Sequence, residues 1–284
     1  MPRWLNSDNR LLGCVSSSEK QTKHGNIPMT KLDIHQFPCL SDNYGVLIRD
    51  ADSDVTAAID APDAKAVAAA LKAKGWRLTH ILTTHHHHDH TDGNLALKAE
   101  TKCTIIGPRA EAAKVPGIDK QVGEGDTFKL GAHEVRVFDT PGHTAGHISY
   151  WMPSDGVAFV GDTLFAIGCG RVIEGNAQIM WQSLKKLMAL PKETLVYCGH
   201  EYTQANARFA LTIEPDNAAL QKRAKEVDQL RAAGKPTLPS TIGIELETNP
   251  FLRPHVAAIQ QRLNMVGRPE WEIFGEIRQR KNRG

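Results

Sequence analysis

The chain has 284 residues, with 34 Lys and Arg against 32 Asp and Glu, a formal net charge of +2, and 41% hydrophobic residues. That length allows one large domain or two ordinary ones, with an interior large enough to need no disulfide staples. The balanced charge offers no footprint for a nucleic-acid or membrane-surface partner, and no run of roughly 18 apolar residues exists to span a bilayer.

Residues 1–28 are polar and lack periodicity. No apolar stretch follows the early arginines, so a secretory signal is not indicated. A start assigned too early, a flexible extension and an organelle-targeting peptide are three readings of this segment. A disordered or non-native extension is the preferred one. From Lys31 onward, short apolar runs alternate with turn residues. IHQF (34–37), YGVLI (44–48) and VTAAID (55–60) read as strands. Pro62 stands where a helix would begin, and AKAVAAALKAK carries apolar residues at helical spacing up to Gly75. HILTT (80–84) is a short buried strand, and TIIG, HEVRVFDT, ISYWM and VAFVGD continue the pattern to Asp162. Residues 176–190 form a strong helix that Pro191 ends. TLVYCGH (194–200) reads as the last apolar strand. Beyond it, QANARFAL, NAALQKRAKEVDQLRAAG and VAAIQQRLN are helical. The expected division is therefore an α/β region at 29–200 and a smaller helical region at 201–284.

The five cysteines (Cys14, Cys39, Cys103, Cys169, Cys198) are odd in number and form no C-x-x-C pair. That argues against a disulfide framework and a Cys-rich zinc site, and suits a reducing compartment. Histidine is the unusual residue: of the 13 in the chain, six lie between His80 and His90. In TTHHHHDHTDGN, side chains alternate after the strand, so His85, His87 and Asp89 share a side. His90 needs a turn to join them, and Asp92-Gly93 leads into a following helix. Imidazole and carboxylate together suit zinc, manganese or iron.

Three later segments add donors at strand ends. PGHTAGH places His143 after VRVFDT, GDT places Asp162 after VAFV, and CGHEYT places His200 after LVYC. Ligand sites in layered α/β folds collect on such loops. Five histidines and two aspartates suffice for two metals with one donor shared, and an aspartate with its two oxygens is the natural bridge. His86 and His88 fall at the alternate positions and should point away. His147 is expected to support or pack beneath the donors. His24, His35, His80, His133 and His255 have no ligand spacing, and Cys169 and Cys198 read as small buried residues.

HxHxDH followed by a distant His, a GDT aspartate and a terminal GH resembles the metallo-β-lactamase superfamily. Within it, FPCLSDNYGVLI, TTHHHHDHTDGN, TPGHTAGHISY, GDTLFAIGCGRVIEG, SLKKLMALP and CGHEYTQAN resemble the hydroxyacylglutathione hydrolases (glyoxalase II), in family order across residues 37–206. The resemblance implies a four-layer αββα sandwich with a C-terminal helical domain. It implies His85, His87 and His143 on one metal, Asp89, His90 and His200 on the other, and Asp162 bridging. Asp89 and Asp162 are then the catalytic carboxylates, and two divalent ions, zinc with iron or manganese also fitting, are the cofactors. True lactamases lack a ligating histidine at the place of His90, and those with a second metal use a cysteine where this chain has Asp162.

The resemblance also implies substrate contacts at Arg171, Val172, Ile173, Tyr202, Arg278 and Lys281. Arg171 stands where many relatives have lysine, and Ile173 where some have an aromatic residue. The implied reaction is hydrolysis of an S-(2-hydroxyacyl)glutathione thioester, such as S-lactoylglutathione, to glutathione and a 2-hydroxy acid such as D-lactate, in methylglyoxal detoxification. A hydroxide shared by the metals would attack. A glutathione thioester is the expected partner, with no nucleic acid and no membrane, for a monomeric cytoplasmic protein; a mitochondrial one follows if residues 1–28 are a targeting peptide. The alternatives are a glutathione persulfide dioxygenase, another metallo-β-lactamase-fold hydrolase such as a phosphodiesterase, and a zinc-stabilised interaction module.

Overall fold

A computed structural model describes residues 32–283; the expectation for residues 1–28 lies outside them. The first sheet contains β1 (Asp33–Cys39), β2 (Asn43–Asp50), β3 (Val55–Ile59), β4 (His80–Leu82), β5 (Thr104–Pro108) and β6 (Lys120–Val122), in that spatial order. Strands β1 to β3 form an antiparallel meander. From β3 to β6 the pairing is parallel, which demands crossovers. The helix α1 (Ala64–Lys74) supplies the first, capped by Asp63, whose Oδ1 accepts the Ala66 N–H at 2.7 Å, and ended by Gly75 at φ +67°. Helices α2 (His88–Thr91) and α3 (Asn94–Thr101) lie in the second.

The second sheet is built from β7 (Thr127–Leu130), β8 (His133–Asp139), β9 (Ile148–Met152) and β10 (Val157–Phe159). A hairpin of β11 (Leu164–Phe165) and β12 (Gly168–Cys169) and the helix α4 (Ala177–Met188) follow. Then β13 (Leu195–Tyr197) pairs in parallel with β10. Helices α5 (Thr203–Ile213) and α6 (Ala218–Ala232) precede β14 (Ser240–Thr241), and α7 (Ile242–Thr248), α8 (Ala257–Leu263) and α9 (Glu270–Arg283) complete the chain.

Period-two alternation explains the layering. Val46 and Ile48 of β2 point between the sheets, where they meet Val135, Val137, Tyr150 and Phe159. Leu47, one residue out of phase, packs outward with Val67 and Leu71 of α1 and Leu97 of α3. Ala158 and Val196 of the second sheet face Met180, Trp181 and Leu184 of α4. The order is helices, sheet, sheet, helices: the expected αββα sandwich. Each fully buried Leu, Ile or Phe in these rows contributes roughly 1.5–3 kcal/mol.

The C-terminal helices share the outer core, since Phe251, Phe274 and Ile277 belong to the cluster of Trp181 and Leu184. They also grip the β11–β12 hairpin by its backbone. Glu245 accepts the Ile167 N–H at 2.7 Å, Asn249 donates to Gly168 O at 2.9 Å, Asn206 to Ala166 O at 3.1 Å, and Arg278 to Cys169 O at 2.8 Å. That hairpin joins Asp162 to the 171–173 segment.

TLVYCGH holds the last apolar strand, over Leu195–Tyr197 alone, but a polar one follows it: β14 pairs antiparallel with β13 (Leu195↔Thr241, Val196↔Ser240). A two-residue strand carries no periodicity to read. The same brevity hides β6, β7 and the hairpin. VAFVGD forms a strand only over Val157–Phe159, since the chain turns at Gly161 to present Asp162.

Candidate metal centre

The donors reach one place because four strand-end loops open on the same edge of the sandwich. After β4, the extended chain keeps His85 and His87 on one side, with His85 Nε2 and His87 Nδ1 3.1 Å apart. His86 points away to Glu111 Oε2 at 2.8 Å, and the exposed His88 pairs with Asp92 at 3.0 Å. One turn of α2, closed by His90 N–H to His87 O at 2.9 Å, brings His90 inward and leaves Asp89 at the rim.

His143 Nε2 lies 3.0 Å from His87 Nδ1. His200 Nε2 lies 3.3 Å from both His90 Nε2 and Asp89 Oδ2. Asp162 stands between the two groups, with Oδ2 3.5 Å from His143 Nε2 and 3.3 Å from His200 Nε2, and Oδ1 3.5 Å from His90 Nε2. Ligand atoms of His85, His87 and His143 fall within 4.8 Å of one another, as do those of Asp89, His90 and His200, and of His85, His90 and Asp162.

The glycines before two donors make this density attainable. A Cβ on Gly199 would sit 2.6 Å from Asp162 Oδ1 and 2.7 Å from His90 Cε1. Gly161, at φ +47°, would put one 2.6 Å from His147 Nε2 and from Thr84 Oγ1. The GD and GH pairs in the sequence are therefore a packing requirement.

Partners outside the cluster fix which nitrogen of each ring faces in. Nδ1 of His90 meets Asp60 Oδ2 at 2.8 Å, Nδ1 of His200 meets Asp42 Oδ1 at 2.9 Å, and Nδ1 of His143 meets Arg171 O at 3.0 Å. Thr84 Oγ1 donates to Asp60 Oδ2 at 2.9 Å and so accepts from His85 Nδ1 at 3.0 Å. The four Nε2 atoms consequently present lone pairs inward, the arrangement a cation requires. Asn43 Nδ2 donates to Asp89 O at 3.0 Å and Oδ2 at 3.2 Å. His147 accepts the Asp162 N–H at 3.0 Å, which is the supporting part expected of it.

Electrostatics agree with a cation site. Burial holds His85 well below the ordinary imidazole range and lowers His87 and His143, keeping this set neutral and able to ligate. Burial opposes ionisation of Asp162, yet His90, His200 and His143 hold it well below the usual carboxylate range. Burial would lower His200, but hydrogen bonds to Asp162 and Asp89 push it up to about 11. Protons and a divalent ion compete for these nitrogens. Asp162 Oδ1 is buried without a hydrogen-bond partner, an orphan that a cation would satisfy. The residues present therefore fit a pair of hard or borderline divalent ions.

The residues expected to meet substrate lie around this cluster. Tyr202 is 37% exposed and its ring stacks on His200, centroids 4.7 Å apart and planes 4° from parallel. Arg171 and Ile173 are exposed and Val172 is half-buried, with Ile173 N–H bonded to Gly142 O at 3.1 Å. Arg278 is buried, its guanidinium 5.2 Å over Phe251 and bonded to Cys169 O, two residues before Arg171. Lys281 Nζ donates to Ala205 O at 3.1 Å, three residues past Tyr202. Helix α9 is thus brought beside both other segments. Cys169 and Cys198 are buried, as expected, and burial pushes their thiols up to about 11 and about 12. Asp42, Asn43, Asp60, Thr84 and Glu111 were not anticipated. Only Asp60, at the end of VTAAID, carried the strand-end signal that marks Asp162.

Comparison with known proteins gives concordant results. Residues 50–200 match the family model of the metallo-beta-lactamase superfamily, and residues 201–284 match that of the hydroxyacylglutathione hydrolase C-terminus. The chain is 58% identical over 252 residues to a hydroxyacylglutathione hydrolase of Brucella anthropi, covering 89% of this chain and 97% of that one. Among solved structures it resembles ETHE1 from Myxococcus xanthus, with a TM-score of 0.64, 28% identity, and coverage of 88% of this chain and 91% of that one. It shares its fold with the BLEG-1 B3 metallo-beta-lactamase, with a TM-score of 0.59, 22% identity, and coverage of 78% and 100%.

Proposed function

The chain belongs to the hydroxyacylglutathione hydrolases of the metallo-beta-lactamase superfamily, and from that premise we propose how its residues divide the work of cleaving an S-(2-hydroxyacyl)glutathione thioester. The protein is a thiolester hydrolase whose products are glutathione and a 2-hydroxy acid. The observation that carries the reading is the convergence of seven donors into two sets joined through Asp162.

His85, His87 and His143 would hold one divalent ion and Asp89, His90 and His200 the other, with Asp162 serving both. When bound, such a pair supplies Lewis acidity, drawing the pKa of a water from 15.7 toward about 7 and polarising a carbonyl oxygen. We assign zinc, and the donor set also accepts iron or manganese. Asp89, at the rim with its carboxylate partly exposed, is placed to accept a hydrogen bond from the attacking water. No side chain need protonate the leaving sulfur, because a thiol of pKa about 8.5 departs readily as thiolate. An amide nitrogen would need a proton.

Glutathione offers two carboxylates and an ammonium. Arg171 is exposed and suited to a carboxylate, and the flat face of Tyr202 beside His200 suits the chain leading to the scissile carbonyl. Arg278 and Lys281 add positive charge where α9 meets these segments. Ile173 provides an apolar contact without a ring or hydroxyl. The matches meeting at residues 200 and 201 support dividing the chain there into a catalytic and a substrate-binding part. All seven donors come from one chain, so the site is complete within one protomer, and the working unit we assign is a monomer. Among the described residues no helix is long and apolar enough to cross a membrane. The four described cysteines are free and buried, which favours a reducing, cytoplasmic setting for the second step of methylglyoxal detoxification.

The test is to mix purified protein with S-lactoylglutathione and follow thioester loss by absorbance, beside glutathione persulfide with oxygen consumption. Rapid thioester loss is expected. Rapid persulfide oxidation with a silent thioester channel would reverse the assignment.

A further inference from the structure

His87 differs from the other four imidazoles of the centre. His85, His90, His143 and His200 each have an outward Nδ1 held by a hydroxyl, carboxylate or carbonyl. His87 turns Nδ1 inward, toward His85 and His143, and its remaining nitrogen has no hydrogen-bond partner among the described residues. Its direction therefore depends on its backbone. On the C-terminal side that backbone enters α2. On the N-terminal side it is fixed at His86, whose C=O accepts from Thr91 Oγ1 at 3.4 Å and whose N–H is held by Glu111.

Glu111 is 3% exposed and lies on the short helical turn after β5. Its Oε2 accepts the His86 N–H at 3.0 Å and meets His86 Nδ1 at 2.8 Å. Its Oε1 accepts the Gly146 N–H at 2.7 Å. One carboxylate thus ties the loop of His85 and His87 to the loop of His143. Gly146 is needed for this approach, because a Cβ there would sit 2.5 Å from Glu111 Cγ. Burying a carboxylate is costly unless its oxygens are fully hydrogen-bonded, and here they are bonded to two ligand loops.

We infer that Glu111 is a positioning residue for the ion held by His85, His87 and His143, setting the spacing between the two loops that supply them. Asp60 and Asp42 orient rings, whereas Glu111 governs a distance between ligands. The inference rests on the two-ion reading of the centre. It also predicts an asymmetry: the ion at Asp89, His90 and His200 has no ligand on the 143–147 loop, and its ligands are anchored by Asn43, Asp60 and Asp42, so it should depend far less on Glu111.

Glu111→Gln tests this. Glutamine keeps the shape, but whichever way its amide turns, an NH2 group faces an N–H donor and one loop loses its acceptor. Zinc-loaded holoprotein is equilibrated with graded chelator, and the metal equivalents retained are measured by atomic absorption, with folding followed by circular dichroism. One equivalent is expected to leave at roughly 10–100-fold lower chelator than in the wild type while the other stays. Adding His143→Ala to Glu111→Gln should cost no further metal. Glu111→Asp keeps the charge but is one methylene short, so it should show the same selective loss to a smaller degree, and it replaces Glu111→Gln should that variant not fold. Two equivalents in the wild type with no selective loss in the variants would overturn this inference alone. Fewer than two in the wild type would overturn the two-ion reading and this inference with it.

Discussion

Asp60 Oδ2 lies 2.8 Å from Nδ1 of the buried His90, and the same carboxylate accepts both the amide and the hydroxyl of Thr84. Thr84 Oγ1 in turn meets His85 Nδ1 at 3.0 Å. One side chain at the end of β3 therefore sets the tautomer of a donor in each ligand set. Asp60 itself sits at φ +57°, a strained conformation for a residue with a side chain, held by these bonds. Asp60→Asn must offer an amide N–H to at least one of three donors. Its metal affinity is expected to fall about 10–100-fold, checked by competition with a chromophoric chelator. Affinity equal to wild type would show that the rings are oriented by packing alone.

Asp162 lies between both groups of donors and is the residue proposed to serve both ions. Asp162→Ala removes an oxygen from each at once, so both metals and most of the turnover should be lost together. The check is metal content after dialysis beside thioester hydrolysis. Near-normal turnover with two ions retained would refute the bridging assignment.

The ligands were legible in the sequence because their spacing is local or tied to strand ends. His85 and His87 follow the alternation of an extended chain, whereas Asp89, expected to continue it, reaches the site from the first turn of α2, and His143, Asp162 and His200 each close an apolar run. The partners that orient them carry no such mark. Asp42 stands 158 positions from His200 in the chain, and a lone aspartate before a strand looks like any turn residue. Glu111 reads as one acidic residue in a short polar stretch. The four layers were implied by the family resemblance; Val46, Leu47 and Ile48, all apolar, marked a buried strand without showing that they divide between two apolar environments, while Ser240 and Thr241, polar and only two residues long, gave no hint that they would edge the second sheet. Arg278 and Lys281 were indicated by family resemblance rather than by pattern, and their surroundings now separate them.

That separation makes a prediction. The Arg278 guanidinium is buried, hydrogen-bonded to Cys169 O and stacked over Phe251. Removing a charged hydrogen bond of this kind costs about 1.5–3 kcal/mol, so Arg278→Ala should lower Tm as well as raise KM. The ammonium of Lys281 sits over Phe209 nearer the surface, so Lys281→Ala should leave stability within about 0.5 kcal/mol. It should raise KM with little change in kcat, the mark of binding felt equally by ground and transition states. Thermal melts beside kinetics separate the two. A Lys281→Ala variant with unchanged KM would return that residue to a solvated role.

Glu245 is buried beneath the β11–β12 hairpin, where it accepts from Ile167 N–H at 2.7 Å and Asn249 Nδ2 at 2.9 Å and meets Ser240 Oγ at 2.5 Å. Burial raises its carboxyl above the ordinary range, against the hydrogen bonds from Ser240, Ile167 and Asn249. A folded state that holds this proton more tightly than the unfolded chain loses stability as pH rises from the ordinary glutamate value, about 4.3, through the raised one. Glutamine fits the same contacts: its oxygen accepts from Ile167 and Asn249, and its NH2 donates to Ser240. Glu245→Gln should therefore match the wild type in acid and melt higher than it as pH rises, the gap levelling once the wild-type carboxyl has ionised. Glu245→Ala, which strands the Ile167 amide in the interior, should lose about 1–3 kcal/mol at every pH. Melting curves of the three proteins at fixed metal loading between about pH 4 and 8 are the measurement. A Glu245→Gln variant that loses stability relative to wild type at neutral pH would mean that the ionised carboxylate holds the hairpin better than a neutral amide can.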